Sequence, residues 1–157
     1  LRLSDVLVAD AVSPRDSSYL SWRDFFIQPS AGRFAPGDPI ALLWETYGLQ
    51  ADSTGAVRYT IDLTVTVREV ERRGIAARIL GGIGDAIGLS AQGDNQVALE
   101  FERSGPQGER QVDWLTVGLD NAPEGLYTIA VTVLDHVSGH SATQLRSVRV
   151  TRGELVR

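Results

Sequence analysis

N-A-P-E-G-L-Y-T-I-A-V-T-V-L-D-H-V-S-G-H-S-A-T-Q-L-R-S-V-R-V, residues Asn121 to Val150, reads as a turn, a strand, a tight hairpin and a second strand. Successive side chains of an extended chain point to opposite sides, so Tyr127, Ile129, Val131 and Val133 share one face. Thr128, Ala130 and Thr132 take the other. Ser138-Gly139 marks the hairpin turn, because glycine supplies the positive φ such turns need. Pro123 and Gly125 sharpen the entry into the first strand.

The same alternation runs outward from this hairpin. Val57, Tyr59, Ile61, Leu63, Val65 and Val67 face one way, and Arg58, Thr60, Asp62, Thr64, Thr66 and Arg68 the other. That is the pattern of a half-buried antiparallel strand, long enough to predict a bend or an overhang. Ile40 to Leu49 is apolar at nearly every position, which predicts a strand buried on both sides near the middle of a sheet. Leu3–Val12 and Val97–Glu102 are also strand-like, and Pro14, Pro29, Pro36 and Pro39 suit edges and turns. Ile75, Ile79, Ile83 and Ile87 recur every four residues, which is helical spacing. Gly81, Gly82 and Gly84 each cost a helix about 1 kcal/mol, so one or two turns with a break are expected within 75–89. Together these segments predict one domain over 1–157. Its class is all-β: an antiparallel immunoglobulin-like (fibronectin-like) β-sandwich of seven or eight strands with a short helical insertion.

A net charge of −5 argues against a nucleic-acid partner, which would call for a basic face. Without cysteine there is neither a disulfide framework nor a thiolate metal site. No uncharged apolar run is long enough to span a membrane; Gly74–Ala91 comes nearest and is interrupted by Arg78 and Asp85. The chain lacks methionine and opens on Leu1, which is read as a fragment of a longer protein whose leader lies elsewhere.

Leu119-Asp120-Asn121-Ala122-Pro123-Glu124-Gly125-Leu126-Tyr127 resembles the entry to strand F of immunoglobulin-like and fibronectin-like sandwiches. The resemblance implies a tyrosine corner, a tyrosine hydroxyl bonded to backbone a few residues upstream, with Tyr127 in that role. More of the chain is similar to the sandwich domain of bacterial GWxTD-domain proteins. The matching pieces are Leu3 to Asp10, Phe34-Ala35-Pro36-Gly37-Asp38-Pro39-Ile40 through Glu45-Thr46-Tyr47-Gly48-Leu49, and Pro123-x-Gly125-x-Tyr127 through Asp135. The Gly-Trp-x-Thr-Asp signature itself is absent from this sequence. That family implies an extracytoplasmic setting, in the envelope or secreted, and gives no activity to place on named residues.

Candidate chemistry is sparse. Asp135, His136 and His140 flank the hairpin turn, but a zinc site needs three or four converging ligands and an orienting second shell. They are read as turn residues. Gly81 to Gly88 is glycine-rich but lacks the lysine of a phosphate loop and the third glycine of G-x-G-x-x-G. It is read as an apolar plug or, if exposed, as a patch presenting Ile83 and Ile87 to a partner. Asp10, Asp16, Asp24, Asp38, Asp62 and Glu45 are scattered, and no spacing pairs them for acid–base work. Glu45, among apolar neighbours, is expected at an edge, paired with an arginine. Trp22, Trp44 and Trp114 could form a stacking platform, although core is the commoner use of such rings. Trp114 faces opposite Leu115 and Val117, which makes it a surface-recognition candidate. The expectation is a non-catalytic structural or protein-interaction module without cofactor or metal. Its partner would be a protein or a neighbouring domain of the same chain, and no small-molecule ligand is assigned. A carbohydrate-binding module using exposed tryptophans is the alternative, and a metal enzyme built on His136 and His140 a third reading.

Overall fold

The computed structural model describes residues 1–68, 76–82, 88–91, 96–120 and 122–152. Their strands are β1 (Arg2–Leu3), β2 (Leu7–Pro14), β3 (Phe25–Pro29), β4 (Arg33–Phe34), β5 (Pro39–Tyr47) and β6 (Ala56–Val67). They continue with β7 (Ala76–Gly82), β8 (Gly88–Ala91), β9 (Gln96–Pro106), β10 (Arg110–Asp120), β11 (Gly125–Asp135) and β12 (Ser141–Val150). A 3-10 turn, Trp22–Asp24, precedes β3. The first sheet has the order β3-β2-β5-β10-β7, with β1 also paired to β5; the second runs β4-β12-β11-β6-β9-β8. Every described pairing is antiparallel except the two-residue parallel contact of β4 with β12. The inner rows of both sheets meet in one apolar cluster. Leu42, Trp44, Leu115 and Val117 come from the first sheet, and Ile61, Leu63, Leu99, Val131 and Val133 from the second.

The closing hairpin forms as its sequence requires. β11 and β12 pair from Gly125↔Val150 to Leu134↔Ser141, and Gly139 sits in the turn at φ 71°. Tyr127, Ile129, Val131 and Val133 are all buried. β6 lies between β9 and β11, and its inward residues are buried along its length.

β5 shows why a run can be apolar at every position. Its even residues Ile40, Leu42 and Trp44 enter the main core. Its odd residues Ala41 and Leu43 enter a second, smaller cluster with Ala9, Val12, Phe25 and Val112. The first sheet is therefore covered on both faces.

The helical reading of 75–89 is corrected where the structure describes it. Ala76–Gly82 is a strand pairing with β10, with Ala77 opposite Leu119 and Ile79 opposite Val117. Gly88–Ala91 is a strand pairing with β9. Glycines that weaken a helix leave an extended chain free to pair, and available sheet edges outweigh a four-residue periodicity. Ile75, Ile83 and Ile87 lie outside the described residues. The number of strand segments exceeds seven or eight because β1 and β4 are two-residue pieces and because β7 and β8 stand where helix was expected.

Candidate functional site

The outer face of the first sheet is crossed by the loop Arg15–Asp24. Its ends are tied, the Arg15 N–H donating to Asp24 O at 2.8 Å. Ser21 is extended and caps the 3-10 turn: its hydroxyl accepts the Arg23 N–H, while the Asp24 carboxylate accepts the N–H groups of Leu20 (2.8 Å) and Ser21 (3.0 Å). Those two peptide donors, Leu20 first, hold the Asp24 carboxyl below its ordinary range. The loop presents Leu20 and Trp22 to solvent, 79% and 52% exposed, and β3 adds Phe26 at 58%. Arg15 stands over the Phe26 ring at 4.3 Å and Arg23 over Trp22 at 5.7 Å.

Glu45 is the anchor beneath this loop. It is only 4% exposed, yet its carboxylate is fully served. Oε1 accepts the Trp22 N–H at 3.0 Å, Oε2 accepts the Tyr47 hydroxyl, and Arg110 Nη1 lies 3.5 Å from Oε2. The bond to Glu45, then burial, push the Tyr47 phenol up. The arginine pairing expected of Glu45 is present. Its expected edge position is not, because β5 runs between β2 and β10.

A cleft of about 840 Å³ opens between loop and sheet, lined by Leu7, Trp22, Ile27, Leu43, Glu45 and Tyr47 among others. Arg146 closes one end, its Nε donating to Val6 O at 2.7 Å and its Nη2 lying 3.3 Å from Asp5. Ser4 Oγ donates to Asp5 O and accepts the Glu45 N–H. The polar side chains of the wall are thus engaged with protein partners, and what remains for a guest is largely apolar. The neighbouring edge is guarded as well. The Phe25 N–H donates to Trp22 O, Phe25 O accepts from Arg15 Nε, and Pro29 has no N–H, so little of β3 is free for an added strand.

Trp114 lies on this outer face opposite Leu43, as the alternation required. It is half-buried rather than a free platform, with Phe25 edge-on at 6.3 Å. Trp44 is core. Trp22, weighed in sequence only as one of three, is the exposed indole at the cleft.

A buried polar network was not anticipated. Asp113, fully buried, accepts the Tyr59 hydroxyl at 3.0 Å (Oδ2) and Arg103 Nε at 3.2 Å (Oδ1), joining β10 of the first sheet to β6 and β9 of the second. Burial pushes the Asp113 carboxyl up, with the Arg103 charge pulling the other way. Burial, then the Asp113 charge, raise the Tyr59 phenol far above its ordinary value. The signal was present in the alternation: Asp113 shares its row with Leu115 and Val117, and Arg103 follows Val97, Leu99 and Phe101 on theirs.

At the hairpin, the Asp135 carboxylate accepts the N–H groups of Gln50 and Val137, each at 3.0 Å, and the Ser138 hydroxyl at 2.7 Å. His136 Nε2 pairs with Thr60 Oγ1 at 2.7 Å, and His140 is exposed. Among the described residues no group of three or more His, Cys, Asp or Glu is placed to hold a metal. At the other end of β11, the Tyr127 hydroxyl donates to Pro123 O at 2.7 Å, the geometry of a tyrosine corner, and burial pushes its phenol up to about 12.

No protein-family model matches this chain, and no curated protein matches it. Among solved structures it is similar to a family 123 glycoside hydrolase from Clostridium perfringens, whose structure is described in terms of glycolipid glycan hydrolysis. The TM-score is 0.46 and the identity 14%, over 94% of this chain and 28% of that one. The chain therefore spans little more than a quarter of that enzyme.

Proposed function

We propose that this chain is a non-catalytic protein-interaction module built on an immunoglobulin-like β-sandwich, within a larger bacterial envelope or secreted protein. Three features support the immunoglobulin-like part. They are the Tyr127–Pro123 bond, the neighbour order β12-β11-β6 of a G-F-C sheet, and the order β2-β5-β10-β7 of its A-B-E-D counterpart. The envelope setting rests on the resemblance to GWxTD-domain sandwiches. The interaction role rests on one observation: Leu20 and Trp22 on the Arg15–Asp24 loop and Phe26 on the strand that follows it are large apolar side chains exposed to solvent, and arginines stand over the two aromatic rings. Aromatic side chains and arginine are the residues enriched at protein interfaces and their energetic centres. The buried carboxylates, by contrast, are engaged in holding strands and turns together.

The double variant Trp22→Ala with Phe26→Ala tests this reading. Immobilised wild-type chain should retain envelope proteins that free wild-type chain competes off and the folded double variant does not. Equal competition by both proteins removes the reading. The second reading, carbohydrate binding, is favoured by the half-exposed Trp22 indole at the cleft. Titration with a glycan panel should then shift tryptophan fluorescence in wild type and not in Trp22→Ala, and a flat response across the panel ends it.

A further inference from the structure

The loop carrying Trp22 is organised to move as a unit. Ten residues, Arg15–Asp24, are closed by the Arg15 N–H to Asp24 O bond, the form of an Ω-loop. Its polar interior is self-contained, with Asp24 capping Leu20 and Ser21 and the Asp24 N–H returning to Ser21 O, while Tyr19 packs against Phe25 of β3, ring centres 4.8 Å apart. Among the described residues, one hydrogen bond ties Asp16–Arg23 to β5, the Trp22 N–H to Glu45 Oε1. Releasing that bond strands no charge, because Glu45 keeps the Tyr47 hydroxyl and Arg110. The apolar cluster below is small and separate from the main core. Segments with few buried contacts open at lower free energy than the whole domain.

We infer that Arg15–Asp24 is an independently opening strap, latched to the first sheet by Glu45, that gates the outer cleft. Trp22 is a wall of that cleft, which Leu43 and Glu45 also line. Opening removes that wall and lifts Tyr19 from the cluster that holds Leu43 and Val112. A partner or guest that touches Trp22 holds the strap shut. Only the purpose of the gate rests on the interaction-module reading; the strap is a property of the chain alone.

Native-state hydrogen exchange on the purified chain tests it. The Trp22 amide should be protected roughly a hundredfold less than those of Leu63 and Val131 in the central strands. The chain has no cysteine, so Val112→Cys supplies a single thiol beneath the strap, labelled at a rate set by opening. Glu45→Ala, which has no acceptor for the Trp22 N–H, should raise thiol labelling and Trp22 exchange about tenfold, leaving Leu63 and Val131 unchanged. Should Glu45→Ala fail to fold, Trp22→Pro deletes the donor at the first position of the 3-10 turn, where proline fits, and is read by thiol labelling. Trp22 protection equal to that of Leu63, or labelling indifferent to the latch variants, overturns the strap. An opening strap combined with unaltered competition by the Trp22→Ala, Phe26→Ala double variant would leave the strap standing and remove the interaction reading. The reverse pair of results removes the strap alone.

Discussion

Asp113 and Asp135 are both wholly buried, and both sit on strands that face the core, yet their carboxyls move in opposite directions. Asp113 lies inside β10. It draws on one guanidinium and one phenol, and these do not offset its loss of water. Asp135 stands where β11 ends. Burial pushes it up too, but the Ser138 hydroxyl and the peptide N–H groups of Gln50, Val137 and Ser138 more than reverse that. The difference is depth of burial together with donor supply: Asp113 lies between the two sheets, Asp135 beside an exposed turn. A hairpin offers several fixed donors within one turn, whereas the space between two sheets must import each on a separate strand. So Asp135 organises local structure, while Asp113 clamps β10 to β6 and β9 at an electrostatic cost.

Asp113→Ala should give the largest effect, about 3–5 kcal/mol of lost unfolding free energy, because it leaves the Tyr59 hydroxyl and the part-buried Arg103 without their acceptor. Denaturant midpoints at constant slope measure it. If the clamp is costly, the double variant Asp113→Leu with Arg103→Met recovers most of that loss. A double variant as unstable as Asp113→Ala would mean the ion pair itself stabilises.

Asp135→Ala should cost somewhat less, about 2–3 kcal/mol, through unmet peptide donors at the turn. The two losses should then separate with pH. The folded carboxyl of Asp113 is raised above its unfolded value of 3.8, so the folded state gains protons first and this residue's contribution improves as pH falls. The folded carboxyl of Asp135 is lowered, so its contribution is complete above the unfolded value and fades as pH falls through the folded one. Between about pH 7 and pH 3, the penalty of Asp113→Ala should grow and that of Asp135→Ala shrink. Parallel curves would erase the distinction.

How much of this could be read in advance follows the same division. Local patterns were legible: the hairpin from Tyr127 to Val150, the alternation of β6, the two-sided burial of β5 and the hydroxyl of Tyr127 each depend on neighbours a few residues away. Asp113 was missed because its partners lie 10 and 54 residues off, on strands whose register no short window specifies. The segment 75–89 misled for a related reason. Isoleucines four apart describe a helix face, but whether that face has anything to cover is decided by the open edges of β10 and β9, which belong to other parts of the chain. Trp22 was ranked no higher than its companions because exposure at a loop held by Glu45, 23 residues away, leaves no periodic trace.

The smallest expected effect isolates charge from geometry. Tyr127 is buried like the two aspartates and bonded to backbone like Asp135, but it is neutral, and its partner Pro123 O lies four residues upstream. Tyr127→Phe keeps the ring and removes only the hydroxyl, so it should cost about 1 kcal/mol, the net worth of a neutral hydrogen bond, with no pH dependence below the range where the phenol itself titrates. A loss as large as that of Asp135→Ala would show that positioning the entry to β11, rather than supplying donors to a buried charge, is what these buried polar groups have in common. In that event donor supply would explain the opposite movement of the two carboxyls and nothing about stability.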